Sequence, residues 1–314
     1  MNTEKFAVVS AERLRHDLFH LCRNPFPFRT VSYTRPWSDK NSLDETDDFI
    51  AGEMSKYPVQ VALQPNRIKP FRCDSTKPLH HWYSAPRESD PWYNANNIEI
   101  VLPGTTDAEE VIQLVSHKDS MSWINSPGAH DNAVGTVVNM ELVRVLSALP
   151  RRRTIRVLFC NEEHTPWHSA SYANAAKARG DRIIAVMNQD SICGKSDEDA
   201  AAGIKTNVAC YSTPEGKKLA EFLVGEAAAY RLPLQVRAAK KEIVGDDDGS
   251  FIKAGFARTI MNLGSWPYAD PQYHLPGDIP ERVDIENLKL VAQLLLAAIL
   301  DLDEKGESVF DSIK

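Results

Sequence analysis

Two carboxylates stand side by side directly after an apolar run in RVLFCNEEHTPWHS, residues 156–169. Glu162 and Glu163 follow Val157–Cys160 at once, with His164, Trp167 and His168 just beyond. Taken alone, an acidic pair after a strand is most often a solvated turn. Residues elsewhere change that weighing. His117 follows VIQLVS, Asp190 follows IIAVMN, His274 lies a loop beyond ARTIMNL, and Asp131 stands in SPGAHDNAVG at the mouth of a helix. If these runs are strands of one open α/β sheet, the six polar groups gather at the carboxyl ends, where such sheets bind ligands. Like charges crowded into a partly buried cleft raise one another's pKa, and divalent cations remove that cost.

The donor types narrow the metal. Imidazole plus carboxylate without thiolate suits zinc, and also manganese or cobalt. One histidine and one carboxylate per ion, with a shared aspartate, would hold two ions roughly 3.5–4 Å apart. The surplus glutamate then has a use, because two-metal hydrolysis needs a general base that is not a ligand. One member of the Glu162–Glu163 pair binds and its neighbour moves protons. The remaining histidines read more plainly. His16 and His20, one turn apart on the first helix, are not taken as a ligand pair, and His80 and His81 read as structural members of an aromatic loop. His130 points away from Asp131 if the backbone there is extended, whereas His164 and His168 open a helix that lines the site and can meet substrate. Cys193 reads as a small packing residue.

The elements that must position these side chains follow from period and punctuation. Residues 3–22 and 43–56 read as helices. Between and after them, RNPFPFRTVSYTRPW and HHWYSAPRESDPWY read as long ordered loops. From Asn97 the pattern becomes regular: IEIVLP, EEVIQLVS, TIRVLFC, RIIAVMN and ARTIMNL are expected as strands. Helices are expected over 132–149, from Thr165-Pro166 (N-cap and first-turn proline) to about Arg179, from Thr213-Pro214 to about Ala229, and over 284–303. Alternating strands and helices predict an α/β fold, a three-layer α/β/α sandwich with a central mixed, largely parallel sheet. No linker divides it. Residues 1–314 are therefore expected to form one catalytic domain, with the site residues in a regular core over 97–303 and residues 1–96 packed on it. Leu294, Leu295, Leu296 and Ile299 are expected in the core rather than on a dimer face, and the oligomeric state is left open.

Composition removes several function classes. The 314 residues are 43% hydrophobic and 25% charged, an ordinary globular balance. A net charge of −7 gives no electrostatic footprint for nucleic acid. No run approaches the ~18 apolar residues that a membrane helix needs. Five scattered cysteines without CxxC spacing suggest neither a thiolate metal site nor a disulfide framework. With no signal peptide visible, a cytoplasmic setting is expected, or secretion if a leader was trimmed.

The segments SHKDS, SPGAHDNAVG, CNEEH, NQDSICG and YHLPGD, in this order and spacing, resemble metallopeptidase family 28. That family holds bacterial zinc aminopeptidases, glutamate carboxypeptidases and glutaminyl cyclases. The resemblance covers roughly residues 97–300. It implies that His117 and Glu163 bind one ion and Asp190 and His274 the other, with Asp131 bridging them and a cis peptide at Asp131–Asn132. It also implies a metal-bridging hydroxide as nucleophile, with Glu162 as the general base that passes a proton to the departing amine. Asp119 would bond the far ring nitrogen of His117 and fix its tautomer, and Asp278 would have a similar supporting role.

The departures from the family pattern concern substrate. Where the family usually shows Gly-Leu-x-Gly-Ser after the glutamate pair, this chain has Thr165-Pro166-Trp167-His168-Ser169. Trp167 and His168 are thus expected to border a narrowed substrate pocket that favours short substrates. Asp246-Asp247-Asp248 replace a Ser-Asp-His motif, and Ile243 stands where some aminopeptidases place an oxyanion-steadying tyrosine. That task then falls to the metals or to another donor. The expected function is a di-metal exopeptidase, an aminopeptidase first, acting on peptide or small amide substrates with two divalent ions, zinc first. Glutaminyl cyclase is the alternative, although cyclases tend to carry Trp where this chain has Tyr273 and Ser where it has Asn132. A catalytically silent, metal-stabilised binding protein is the third reading.

Overall fold

The structure, a computed structural model, describes residue 6, residues 8–311 and residue 313. In chain order the elements are α1 (Ala11–Cys22), α2 (Ser42–Met54), β1 (Gln60–Pro70), β2 (Arg72–Cys73), β3 (Tyr83–Ser84), β4 (Tyr93–Leu102) and β5 (Asp107–His117). Then come α3 (Val134–Ser147), β6 (Arg153–Cys160), β7 (His164–Thr165), α4 (His168–Arg179), β8 (Arg182–Gln189) and α5 (Asp197–Ala201). The chain closes with β9 (Thr206–Tyr211), α6 (Pro214–Ala229), β10 (Gln235–Lys240), α7 (Asp246–Ala254), β11 (Thr259–Leu263) and α8 (Ile285–Lys305).

Nine strands form one sheet in the order β10-β9-β11-β8-β5-β6-β4-β1-β7. Its centre, β11-β8-β5-β6, is parallel, while β4, β1 and β7 add antiparallel partners at one edge. Central parallel strands are buried on both faces, which explains their unbroken apolar runs. Ile112 and Leu114 face the core shared with α1, α3, α6 and α8, whereas Val115 and Leu158 face Tyr172 and Ala173 of α4 and Phe251 of α7. This alternation makes the expected three layers. Leu294, Leu295, Leu296 and Ile299 are fully buried, so α8 is a core helix. Among the described residues, no helix is long and apolar enough to cross a membrane.

Several local expectations are corrected. α1 begins at Ala11, where the Ser10 side chain accepts from the Arg13 amide at 3.2 Å; residues 3–5 and 7 of the longer expected helix lie outside the described residues. β1 runs eleven residues through a stretch read as loop. Its sequence is polar, with Pro65 inside it, and its place in the sheet comes from the ladder with β4, which no local pattern announces. Thr165 is not a helix cap, since it pairs with Lys69 of β1, and α4 starts at His168 after Trp167. The helix expected from residue 132 starts at Val134, behind a wide turn over Ala129–Ala133 with non-helical backbone at Asp131 and Asn132.

Candidate metal centre

The parallel centre of the sheet brings the proposed ligands to one edge. His117 is the last residue of β5 and pairs in register with Cys160, the last of β6, so Glu162 and Glu163 begin just beside it. Asp190 follows β8 directly. Asp131 sits in the wide turn that leads into α3, where Asp131–Asn132 is cis as the resemblance implied. Gly128 permits that turn. Its φ is +56°, and a Cβ there would meet the Asp131 carbonyl oxygen at 2.3 Å. Asp278 holds the turn by accepting the amides of His130 and Asp131 at 2.8 and 3.0 Å. Its support therefore reaches Asp131.

All five expected ligands and Glu162 converge. The Nε2 of His117 lies 3.0 Å from Asp131 Oδ1 and 3.5 Å from Asp190 Oδ1. The Nε2 of His274 lies 3.1 Å from Asp131 Oδ2 and 3.5 Å from Glu163 Oε1. Asp131 thus offers one oxygen to each imidazole, the disposition of a bridge. The direct neighbours are His117 with Asp190 and His274 with Glu163, the reverse of the pairing that the resemblance implied. The donors also overlap, for His117, Asp131 and Glu163 offer atoms within 4.8 Å of one another, as do His117, Glu162 and Asp190.

Electrostatics at this edge would favour a bound cation. Burial pushes Glu163 up to about 7 and raises Asp190. Glu162 rises well above the carboxylate range through burial and the nearby Asp247, Asp246 and Asp190. Against burial, which opposes their charge, Glu163 and Asp131 raise His274 to about 10, and Asp119, Asp131 and Asp190 raise His117. Crowded carboxylates with imidazole and without a thiolate donor fit zinc or a similar divalent ion. The nearby Cys160 thiol instead donates to Asp247 at 3.0 Å.

Asp119 is the organising acceptor behind the ligands. It bonds His117 Nδ1 at 3.1 Å, the amides of Glu162 and Glu163 at 3.0 and 2.9 Å, and His164 Nδ1 at 2.7 Å. Burial would raise its pKa, yet His117 and His164 hold it below the usual range. His164 is wholly buried, with Nε2 on Thr30, so it supports the site from behind and does not face substrate. His168 also lies away from the ligands. Its Nε2 meets the Arg67 carbonyl at 3.0 Å, and it lines a separate groove with Gln64 and Tyr172.

Trp167 does border the site, in a cavity of about 100 Å³ shared with Phe71, Tyr83, Trp123, Asp246 and Tyr273 beside Glu162, Glu163 and His274. Its Nε1 donates to the Glu162 carbonyl at 2.7 Å. Ile243 is 78% exposed and offers no donor. Beyond Trp167 the sequence does not announce this aromatic wall; of its other members only Phe71 and Tyr83 fall in the aromatic-rich first ninety positions. His130 pairs with Asp270 at 2.7 Å in a separate buried group with Asp278.

A family model, Peptidase family M28, matches residues 97–299. The chain belongs to peptidase family M28. Over 219 residues it is 26% identical to a probable aminopeptidase of Saccharomyces cerevisiae, covering 66% of this chain and 57% of that protein. The chain spans about half the length of the curated relatives it matches. Among solved M28-like folds, the Legionella pneumophila LapA aminopeptidase superposes with a TM-score of 0.73 at 14% identity, covering 97% of this chain and 75% of that one. Porphyromonas gingivalis glutaminyl cyclase gives 0.70 at 14% identity, covering 94% and 99%. These two likenesses show the fold.

Proposed function

We propose that this M28 protein is a two-metal aminopeptidase acting on peptides or small amides. The observation that carries the reading is Asp131, whose two oxygens face His117 and His274 separately while Glu162 stands beside them. In this reading His117 and Asp190 would hold one ion and His274 and Glu163 the other, with Asp131 placed to serve both. Bound divalent ions, zinc first, supply Lewis acidity and a water acidified toward neutrality.

The chain's own groups do the rest. Glu162 has one oxygen anchored by the Asp247 amide at 3.0 Å, which leaves the other to take a proton from water and deliver it to the leaving amine. Tyr273 lines the cavity and stacks on His274 with ring centroids 3.7 Å apart. Burial and the surrounding carboxylates keep its hydroxyl protonated, so it is the donor we assign to the oxyanion in place of the tyrosine missing at Ile243. Trp167, Phe71 and Trp123 give the cavity apolar walls suited to a small side chain.

The test is digestion of a peptide library by metal-loaded protein, with products identified by mass. Stepwise loss of amino-terminal residues is the expected result. Loss of ammonia from amino-terminal glutaminyl peptides would instead mark a cyclase, and no turnover with both ions bound would mark a binding protein.

A further inference from the structure

The family match begins at residue 97, yet a loop well before it grips one of the proposed ligands. His274 Nδ1 lies 2.7 Å from the backbone carbonyl of His80. A carbonyl oxygen accepts and never donates, so Nδ1 carries the ring proton and Nε2, facing Asp131 and Glu163, is left as the ligand atom. The contact is reciprocal, for His80 Nδ1 donates to the Tyr273 carbonyl at 2.5 Å. Both gripping residues have left-handed backbone, with φ of 71° at His80 and 57° at His274. Side chains rarely adopt that conformation, and surrounding structure must hold it.

The loop is built to present this carbonyl. β2 and β3 pair at its base, the Asp74 amide donates to the Trp82 carbonyl at 2.7 Å, and Asp74 Oδ1 accepts from both the amide and the hydroxyl of Thr76. Tyr83 and Trp123 close edge-on around the His274 ring at 5.7 and 5.0 Å. The two imidazoles of the centre are therefore oriented by different means. His117 is held by the Asp119 carboxylate from inside the sheet core, whereas His274 is held by a neutral carbonyl on a loop.

We infer that His80 is a positioning residue that clamps loop 74–82 onto residues 273–274 and so sets the tautomer and aim of His274. The inference rests on the two-metal reading of the site. A carbonyl on an unclamped loop drifts, and the ligand it orients drifts with it. The ion held by His274 and Glu163 then depends on loop 74–82, and the ion held by His117 and Asp190 does not.

The experiment is titration of the full metal-free chain with cobalt(II), following visible absorption, for the wild type, His80→Gly, His80→Asn and His81→Ala. Gly suits the left-handed backbone but lacks the donor. Asn tolerates that backbone and keeps an N–H near the place of Nδ1. The expected result is two binding steps in the wild type, with one of them weakened about 10–100-fold in His80→Gly, the usual scale for an outer support of a ligand. His80→Asn and the exposed His81→Ala should stay near wild type, and circular dichroism should show all four chains folded alike. Equal affinities in His80→Gly and wild type would overturn the inference alone, as would equal weakening of both steps. A wild-type chain that takes up no cobalt would overturn the reading of the site and the inference with it.

Discussion

Residues 97–299 and the segment before them build the same site by different physics. The later region supplies the proposed ligands, each at the end of a buried strand or in the loop beyond it, and Asp119 orients His117 and the glutamate pair from within. The earlier region supplies none of the proposed ligands but fixes the surroundings. Arg29, fully buried, donates to the carbonyls of Leu21, Lys118, Pro127 and Gly128. Lys118, also fully buried, pairs with Asp47 of α2 at 2.9 Å and donates to Asn161 beside the glutamate pair. Ser122 links the Phe71 amide to the Glu163 carbonyl. The comparison teaches that donor identity is a local property of the chain, whereas donor geometry is borrowed from segments about ninety residues away.

The largest expected effect lies in the later region. Glu162→Gln should keep both metals and lose about 10²–10⁴ in turnover; near-normal activity with full metal content would remove Glu162 as the base. Next comes Arg29→Met in the earlier region. Four carbonyls would lose a charged donor, and denaturant melts should show a loss of about 3–5 kcal/mol, the scale of breaking a buried charged network. A variant as stable as wild type would reduce the amino-terminal third to a covering, and the contrast between the regions would fail.

Smaller effects sharpen the division. Asp131→Ala should cost far more metal than Asp119→Ala, for which a loss of about 10–100-fold is expected; equal metal content after equal dialysis would contradict the bridge. The metal-free protein should also carry a pH signature from the later region. Burial raises Glu163 from 4.5 to about 7, so its contribution to stability is lost as pH rises through that interval. Despite burial, Glu163 and Asp131 raise His274 from 6.5 to about 10, and its contribution is lost as pH rises from 6.5 through 10. Both slopes have the same sign. The melting temperature without metal should therefore fall between about pH 5 and 9 and flatten when metal is added, while a rise over that range would refute the assignment. The smallest change is at Trp167→Ala. It should cost about 1 kcal/mol for one hydrogen bond and admit larger side chains in a substrate-length series, and unchanged relative rates would take Trp167 out of the pocket wall.

The same contrast explains what could be read in advance. Parallel strands buried on both faces write themselves as apolar runs, and a candidate ligand directly after such a run is found by position; His117, Glu163 and Asp190 are proposed on that ground. His274 and Asp131 lie in loops and were reached through motif order as well. The pairing of His117 with Asp190 was not legible, because it depends on how β8 lies beside β5. β1 escapes because an edge ladder can be half exposed and polar, and the expectation that His168 borders the substrate pocket rests on a helix cap at Thr165 that the structure places in a strand. His80 looked like one aromatic-loop residue among several, since nothing near it in sequence names Tyr273 as its partner.

Arg29 has a kinetic consequence as well as a static one. The carbonyls it gathers come from segments 89 to 99 residues further along the chain, apart from that of Leu21. Contacts of such long separation are slow to form, because loop-closure entropy must be met before they contribute anything. The loops bearing Lys118 and Gly128 should therefore reach their final shape late in folding, after the helices and central strands have assembled. Amide hydrogen exchange pulsed during refolding should protect β5 and β6 before Ala129 and Asp131, and simultaneous protection would mean that the turn forms without waiting for its guanidinium.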